Sequence, residues 1–324
     1  MIDAYSPAPE IQQNSFETEF ARSFEGPKAL DLLVTTECMM RCQFCYAPQK
    51  RIPEMSCDNW LRLIYLSYLM HTENLIFTGR EPLLLEFLPN LLQYAKYLGQ
   101  RTTLSTNAML FPPKYGKVMP FVDEIGIPID GFDATTNALM RQPNGEVQFE
   151  AAVEAIKVIC REYPGVELTI RTVVSALNLD FVLQIPEALT RLGIDIQRVR
   201  WKLYQFNPIG NHFKGSLMEK LCISTDKFIS LWAMLREAEL WFECFPAVVQ
   251  DETYAIVYPN GDLVTTVVDT QRTNSFGFPL FKTKIFGNLS TKFIRTMTSW
   301  RQWREELKRA GNNWVRIPPV TNTQ

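Results

Sequence analysis

Residues 38–45 read Cys-Met-Met-Arg-Cys-Gln-Phe-Cys, so three of the chain's seven cysteines fall within eight positions. Thiolates at this Cx3Cx2C spacing can meet at a common centre only if the segment is a loop wrapped around it. A zinc site would need a fourth Cys or His at short spacing. The only histidines, His71 and His212, are not so placed, and Cys57, Cys160, Cys222 and Cys244 stand alone. Three soft thiolates without a fourth suit an iron–sulfur cluster with one iron left open to a small chelating molecule.

The rest of the chain predicts a frame for that loop. Short apolar runs recur at 29–35, 74–78, 102–105, 124–129, 166–174 and 199–206, and amphipathic stretches intervene at 59–70, 83–98, 148–160 and 180–192. Alternation of this kind gives βα units and a parallel sheet with covered faces. Two arrangements satisfy it, an open doubly wound sheet and a partial (β/α)6 TIM-like barrel, and periodicity does not separate them. After residue 206 the pattern breaks at Asn207-Pro208-Ile209-Gly210-Asn211. A helical stretch follows at 225–240, then a hairpin turning at Asn260-Gly261, a last helix over 291–308 and a turn at Gly311-Asn312-Asn313. The expected organisation is an irregular N-terminal arm over 1–28, a core over 29–206, and a C-terminal α+β extension over 207–324 that closes the barrel and contributes to the substrate site.

Composition narrows the function. A hydrophobic content of 46% supplies a substantial core, and a formal net charge of −2 gives no basic excess for nucleic acid. No apolar run approaches the ~18 residues of a membrane span, and the first residues, MIDAYSPAPE, lack an export signal. Together with an odd cysteine count, this predicts a cytoplasmic protein in a reducing compartment without disulfides.

With Phe44 before its third cysteine, the triad resembles the signature of the radical S-adenosylmethionine (radical SAM) superfamily. That resemblance implies a partial barrel, one [4Fe–4S] cluster on Cys38, Cys42 and Cys45, and S-adenosylmethionine as cofactor. Further motifs carry it along the chain. Gly79-Arg80-Glu81-Pro82 is similar to the family's Gly-Gly-Glu-Pro, which meets the cofactor's amino group, with Arg80 in place of the second glycine. Ser105 and Asn107 match small polar residues near the ribose and methionine. Ile129-Asp130-Gly131 is close to the end of the family's fourth-strand pattern, with Pro128 where serine is common. Arg171, alone in an apolar strand, is assigned to the cofactor carboxylate or, equally, to a neighbouring acid. Phe44, Gly79, Glu81, Ser105, Asn107, Asp130 and Arg171 are therefore the expected cofactor-binding residues.

The resemblance further implies reductive cleavage of S-adenosylmethionine to a 5′-deoxyadenosyl radical, which abstracts a hydrogen atom from a substrate. It also implies a flavodoxin- or ferredoxin-type electron donor. The run Arg200-Trp201-Lys202-Leu203-Tyr204-Gln205-Phe206 resembles the same strand in viperin-type nucleotide-modifying enzymes and in small-molecule or antibiotic-pathway relatives. Lys202 and Tyr204 share a strand face and are the expected substrate residues, with pairing of Lys202 to a neighbouring acid as the competing reading. The expected substrate is a small molecule, such as a nucleotide, nucleoside or sugar, in a biosynthetic pathway. A peptide-modifying enzyme without auxiliary clusters, or a cluster-binding regulator without catalysis, are the alternatives.

Overall fold

A computed structural model describes residues 15–209, 215–235, 242–245, 247, 255–273 and 279–309. The expected turns at Gly210-Asn211 and Gly311-Asn312-Asn313, together with His212, Pro7 and Pro9, lie outside the described residues.

Six parallel strands form the core: β1 (Ala29–Leu33), β2 (Asn74–Thr78), β3 (Arg101–Ser105), β4 (Glu124–Pro128), β5 (Glu167–Val174) and β6 (Val199–Gln205). They pair strictly in chain order. A doubly wound sheet reverses direction at a switch point, whereas sequential order with right-handed crossovers keeps every helix on one face. The other face then curls inward, and the chain is a partial barrel. The covering helices are α1 (Ser15–Arg22), α2 (Cys57–Leu69), α3 (Leu88–Tyr97), α4 (Phe111–Val118), α5 (Ala134–Met140), α6 (Gly145–Glu162) and α7 (Ile185–Arg191). Their apolar stripes bury Trp60, Ile64, Leu91, Ala152, Ile156 and Leu189 against the strands.

The C-terminal segment adds to both ends of this sheet. After α8 (Ser216–Leu221) and α9 (Thr225–Leu235), β7 (Phe242–Phe245) joins β6 in parallel. Then β8 (Ile256–Val257) pairs parallel to β1, with Asp31 in register with Ile256. β9 (Asp262–Thr273) and β10 (Pro279–Asn288) continue antiparallel before α10 (Phe293–Arg309). Gly261 turns the β8–β9 hairpin at φ +89°, a conformation few residues other than glycine tolerate.

One expectation is overturned. Part of the supposed irregular arm is the helix α1, because Phe20, Ala21 and Phe24 are spaced to pack on the core. Phe20 meets Phe293 of α10 edge-on at 6.3 Å, and Glu17 pairs with Arg62 of α2. Prolines near the start masked a pattern too short to stand out.

Candidate active site

A cavity of about 500 Å³ opens within the barrel, and Cys38, Cys42 and Cys45 all line it. Their loop leaves the C-terminal end of β1 and is pinned at its root. Val34 N–H donates to the Thr78 carbonyl at 2.9 Å and Arg80 N–H to the Thr35 carbonyl at 3.2 Å. Gly79, at φ +127°, permits this approach, since a Cβ there would lie 2.7 Å from the Thr35 carbonyl oxygen. None of the three is in a disulfide among the described residues. Three soft thiolates on one cavity wall are the donor set an iron–sulfur cluster takes, and these residues fit such a group. Burial pushes all three thiols up in pKa, opposed at Cys42 by Arg141, so loading a cluster would release protons.

Two expected cofactor residues lie behind the cavity wall. Glu81 is fully buried (0% exposed) and does not line the cavity. Its carboxylate accepts hydrogen bonds from Thr106 Oγ1 (2.8 Å), Asn107 N–H (2.8 Å) and Leu83 N–H (3.0 Å). Asn107 in turn reaches the cavity and points its amide at Cys38 Sγ (3.6 Å) and Met39 Sδ (3.2 Å). Burial raises the Glu81 carboxyl to about 6 despite these donors. Asp130 is likewise 0% exposed and off the cavity. It accepts from Val173 N–H at 2.8 Å and pairs with Arg141 at 2.6 Å. Arg141 does line the cavity, with its guanidinium 5.1 Å from the centre of the Phe44 ring. Asp130 thus reaches the cavity only through its ion pair with Arg141, a residue that follows α5 in no recognisable motif.

Phe44, Gly79, Ser105, Asn107, Arg171, Lys202 and Tyr204 all face the cavity. Arg171 donates to Ser105 Oγ at 2.9 Å, and its guanidinium lies where a Cβ on Gly126 would be, 2.3 Å from Nε. Gly126 is the space that lets an arginine lie across β4. Arg171 and Lys202 stand directly opposite each other in the β5–β6 register, where like charges repel. Glu124 relieves this, with one carboxylate oxygen 3.2 Å from Lys202 Nζ and 3.8 Å from Arg171 Nη2. Burial alone would raise the Glu124 carboxyl, but Lys202 and Arg171 outweigh it and hold it at about 2. Tyr204 stacks on Phe245 of β7 at 4.8 Å, and burial raises its hydroxyl to about 12.

The cavity wall carries five cationic side chains, Arg41, Arg80, Arg141, Arg171 and Lys202, against two carboxylates, Asp31 and Glu124. A chain of net charge −2 thus presents an electropositive interior. Among the described residues no helix is long and apolar enough to cross a membrane.

Comparison with known proteins agrees with this geometry. The model of the radical SAM superfamily matches residues 32–180. The chain is 26% identical over 209 residues to an S-adenosylmethionine-dependent nucleotide dehydratase of Siniperca chuatsi, covering 62% of this chain and 56% of that one. A nucleotide dehydratase of Lacinutrix mariniflava is 28% identical over 53% of this chain and 37% of its own length. An AdoMet-dependent heme synthase of Nitratidesulfovibrio vulgaris is 29% identical over 55% of this chain and 47% of its own. The chain thus spans about half the length, or less, of these relatives. In fold it is similar to Streptococcus suis SuiB bound to its precursor peptide SuiA, with TM-score 0.58, 14% identity, and 81% and 67% of the two chains covered. With three cysteines on one cavity wall, a sequential six-stranded half-barrel and a family model that matches residues 32–180, the chain carries a radical SAM superfamily domain.

Proposed function

We propose that the chain is an enzyme that uses one [4Fe–4S] cluster and S-adenosylmethionine to take a hydrogen atom from a small anionic substrate of the nucleotide class. The observation that carries the substrate class is the Arg171–Lys202 pair, held in register inside a wall with an excess of cations. The names of the nucleotide dehydratases among its relatives support the same class.

Bound together, cluster and cofactor supply an electron and a hydrogen-abstracting radical. The chain's own residues would do the positioning. Cys38, Cys42 and Cys45 hold the cluster, while Phe44, Gly79, Ser105, Asn107 and Arg141 line the part of the cavity beside it. Glu81 and Asp130 fix Asn107 and Arg141 from behind. Arg171 bridges the two halves, bonded to Ser105 on one side and opposed to Lys202 on the other. Lys202 and Tyr204 meet the substrate, the ammonium on its anionic group and the stacked ring on its planar part. No protein base is needed for the abstraction, which suits a chain with two histidines. The electron comes from a flavodoxin- or ferredoxin-type donor.

The test is 5′-deoxyadenosine release from anaerobic, reconstituted protein offered nucleosides, their phosphates, tetrapyrroles and peptides. Acceleration by phosphorylated nucleosides and not by the parent nucleosides is expected. Acceleration by peptides or tetrapyrroles alone would contradict the substrate class.

A further inference from the structure

One carboxylate in the cavity has no hydrogen-bond or ion-pair partner among the described residues. Asp31, Ile76, Thr103 and Glu124 stand in hydrogen-bonding register across β1–β4, and all four line the cavity. The row ends in carboxylates in opposite circumstances. Glu124 is bonded to Thr169 Oγ1 (3.0 Å) and paired with Arg101, Arg171 and Lys202. Asp31 has isoleucines on both sides, Ile76 of β2 and Ile256 of β8, and no hydrogen bond or ion pair to its carboxylate among the described residues.

An unpartnered carboxylate between isoleucines weakens the fold, and the cost falls only when a donor arrives. Burial pushes Asp31 up to about 7, opposed by Arg171, while Lys202 and Arg171 hold Glu124 down at about 2. Two carboxyls driven this far apart in one cavity mark different tasks. Glu124 neutralises the cations of the β5–β6 wall. Asp31 is left to meet something that enters.

We propose that Asp31 accepts a hydrogen bond from a hydroxyl or amino group of the substrate whose anionic group lies on Lys202 and Arg171. The site would then select molecules with an anion at one end and a hydrogen-bond donor at the other. The inference rests on the nucleotide reading above and adds to it the residue that reads the uncharged end.

The experiment measures equilibrium binding to full-length, cluster-reconstituted protein loaded with S-adenosylmethionine. The probes are the four ribonucleoside 5′-triphosphates and inorganic triphosphate, with wild type and Asp31→Asn compared at pH 6 and pH 8. At pH 8 the variant should bind the preferred nucleotide about tenfold more weakly. It should bind inorganic triphosphate as well as wild type or better, because a negative charge has gone. Wild-type affinity for that nucleotide should fall about tenfold from pH 8 to pH 6, beyond any change for inorganic triphosphate, as Asp31 protonates, and the variant should lose this excess. The other charged or titratable groups facing Asp31 are Arg171, Tyr46 and Tyr204, with Tyr258 beside Tyr46, and the three tyrosines are raised in pKa and stay neutral over this range. The melting temperature of the variant should not fall, since no intramolecular contact is lost. Equal nucleotide affinity in wild type and variant at both pH values would overturn the inference alone. So would a lowered melting temperature with both probes weakened, the mark of a structural residue. Wild type that binds none of the four nucleotides would overturn the nucleotide reading and the inference together.

Discussion

The ammonium of Lys202 on β6 lies 3.2 Å from a carboxylate oxygen of Glu124 on β4, across the intervening β5. The side chains are 14% and 7% exposed, so the pair is largely desolvated. Lys202→Ala leaves Glu124 with Arg101 and Arg171, and should cost about 1–3 kcal/mol. The sign with pH follows from the depressed carboxyl: its stabilisation is present above the ordinary 4.5 and is lost as pH falls toward about 2. Urea unfolding of Lys202→Ala should therefore show a smaller loss of stability over that acid range than wild type. An identical acid profile would mean that the pair contributes nothing.

Glu81→Gln replaces an oxygen that accepts Asn107 N–H, or the one that accepts Leu83 N–H and Thr106 Oγ1, by an NH2 group that cannot accept. At least one buried donor is left unmet, at about 1–3 kcal/mol. Because burial raises the Glu81 carboxyl from 4.5 to about 6, its contribution is largest below the lower value and declines as pH rises through the upper one. Denaturant melts between pH 4 and pH 7 should lose that part of their slope in the variant. S-adenosylmethionine affinity should weaken indirectly, through Asn107. Unchanged stability would remove Glu81 from this network.

Much of this was legible in the sequence, and the remainder was hidden for physical reasons. The triad, the strand-end motifs and the succession of strands along the chain are local signals, and β1 to β6 fall where the apolar runs stand; the order of pairing, which separates barrel from open sheet, is not local. The motifs place Glu81 and Asp130 at the cofactor; in the structure Glu81 accepts from Thr106 Oγ1 and two backbone N–H groups, and Asp130 from Val173 N–H beside Arg141, both behind the cavity wall. A motif shows that a residue matters at a strand end and does not show which way it faces. Asp31 in Ala29-Leu30-Asp31-Leu32-Leu33 reads as an ordinary polar position of an alternating strand. Only the pairing of β1 with β8, from more than 220 residues further on, encloses it. Gly126 and Arg141 matter through contacts with Arg171 and Phe44, which no local pattern encodes.

Gly126→Ala tests the placement of Arg171 without touching its charge. The new Cβ would lie 2.3 Å from Arg171 Nε, and the flexible guanidinium, not the backbone, should yield. Nucleotide affinity should fall about ten- to hundredfold, as in Arg171→Ala, with iron content preserved. Full affinity in the alanine variant would mean that the guanidinium does not act from this position.

Arg141→Ala strands the fully buried Asp130 carboxylate and should cost about 3–5 kcal/mol. Adding Asp130→Asn should recover much of that loss, because asparagine can still accept from Val173 N–H. Equilibrium unfolding of the two single variants and the double variant gives the coupling. Additive losses would show that the 2.6 Å pair is not what holds Arg141 beside Phe44.

The central claim is that Cys38, Cys42 and Cys45 carry a single cluster that activates S-adenosylmethionine. The direct measurement is iron content and 5′-deoxyadenosine formation after anaerobic reconstitution, with dithionite and S-adenosylmethionine but no substrate. Wild type should hold about four irons per chain and release 5′-deoxyadenosine slowly, and the triple cysteine-to-alanine variant should do neither. Retained iron in that variant, a wild-type count near eight, or cluster-replete protein that never forms 5′-deoxyadenosine would contradict the account.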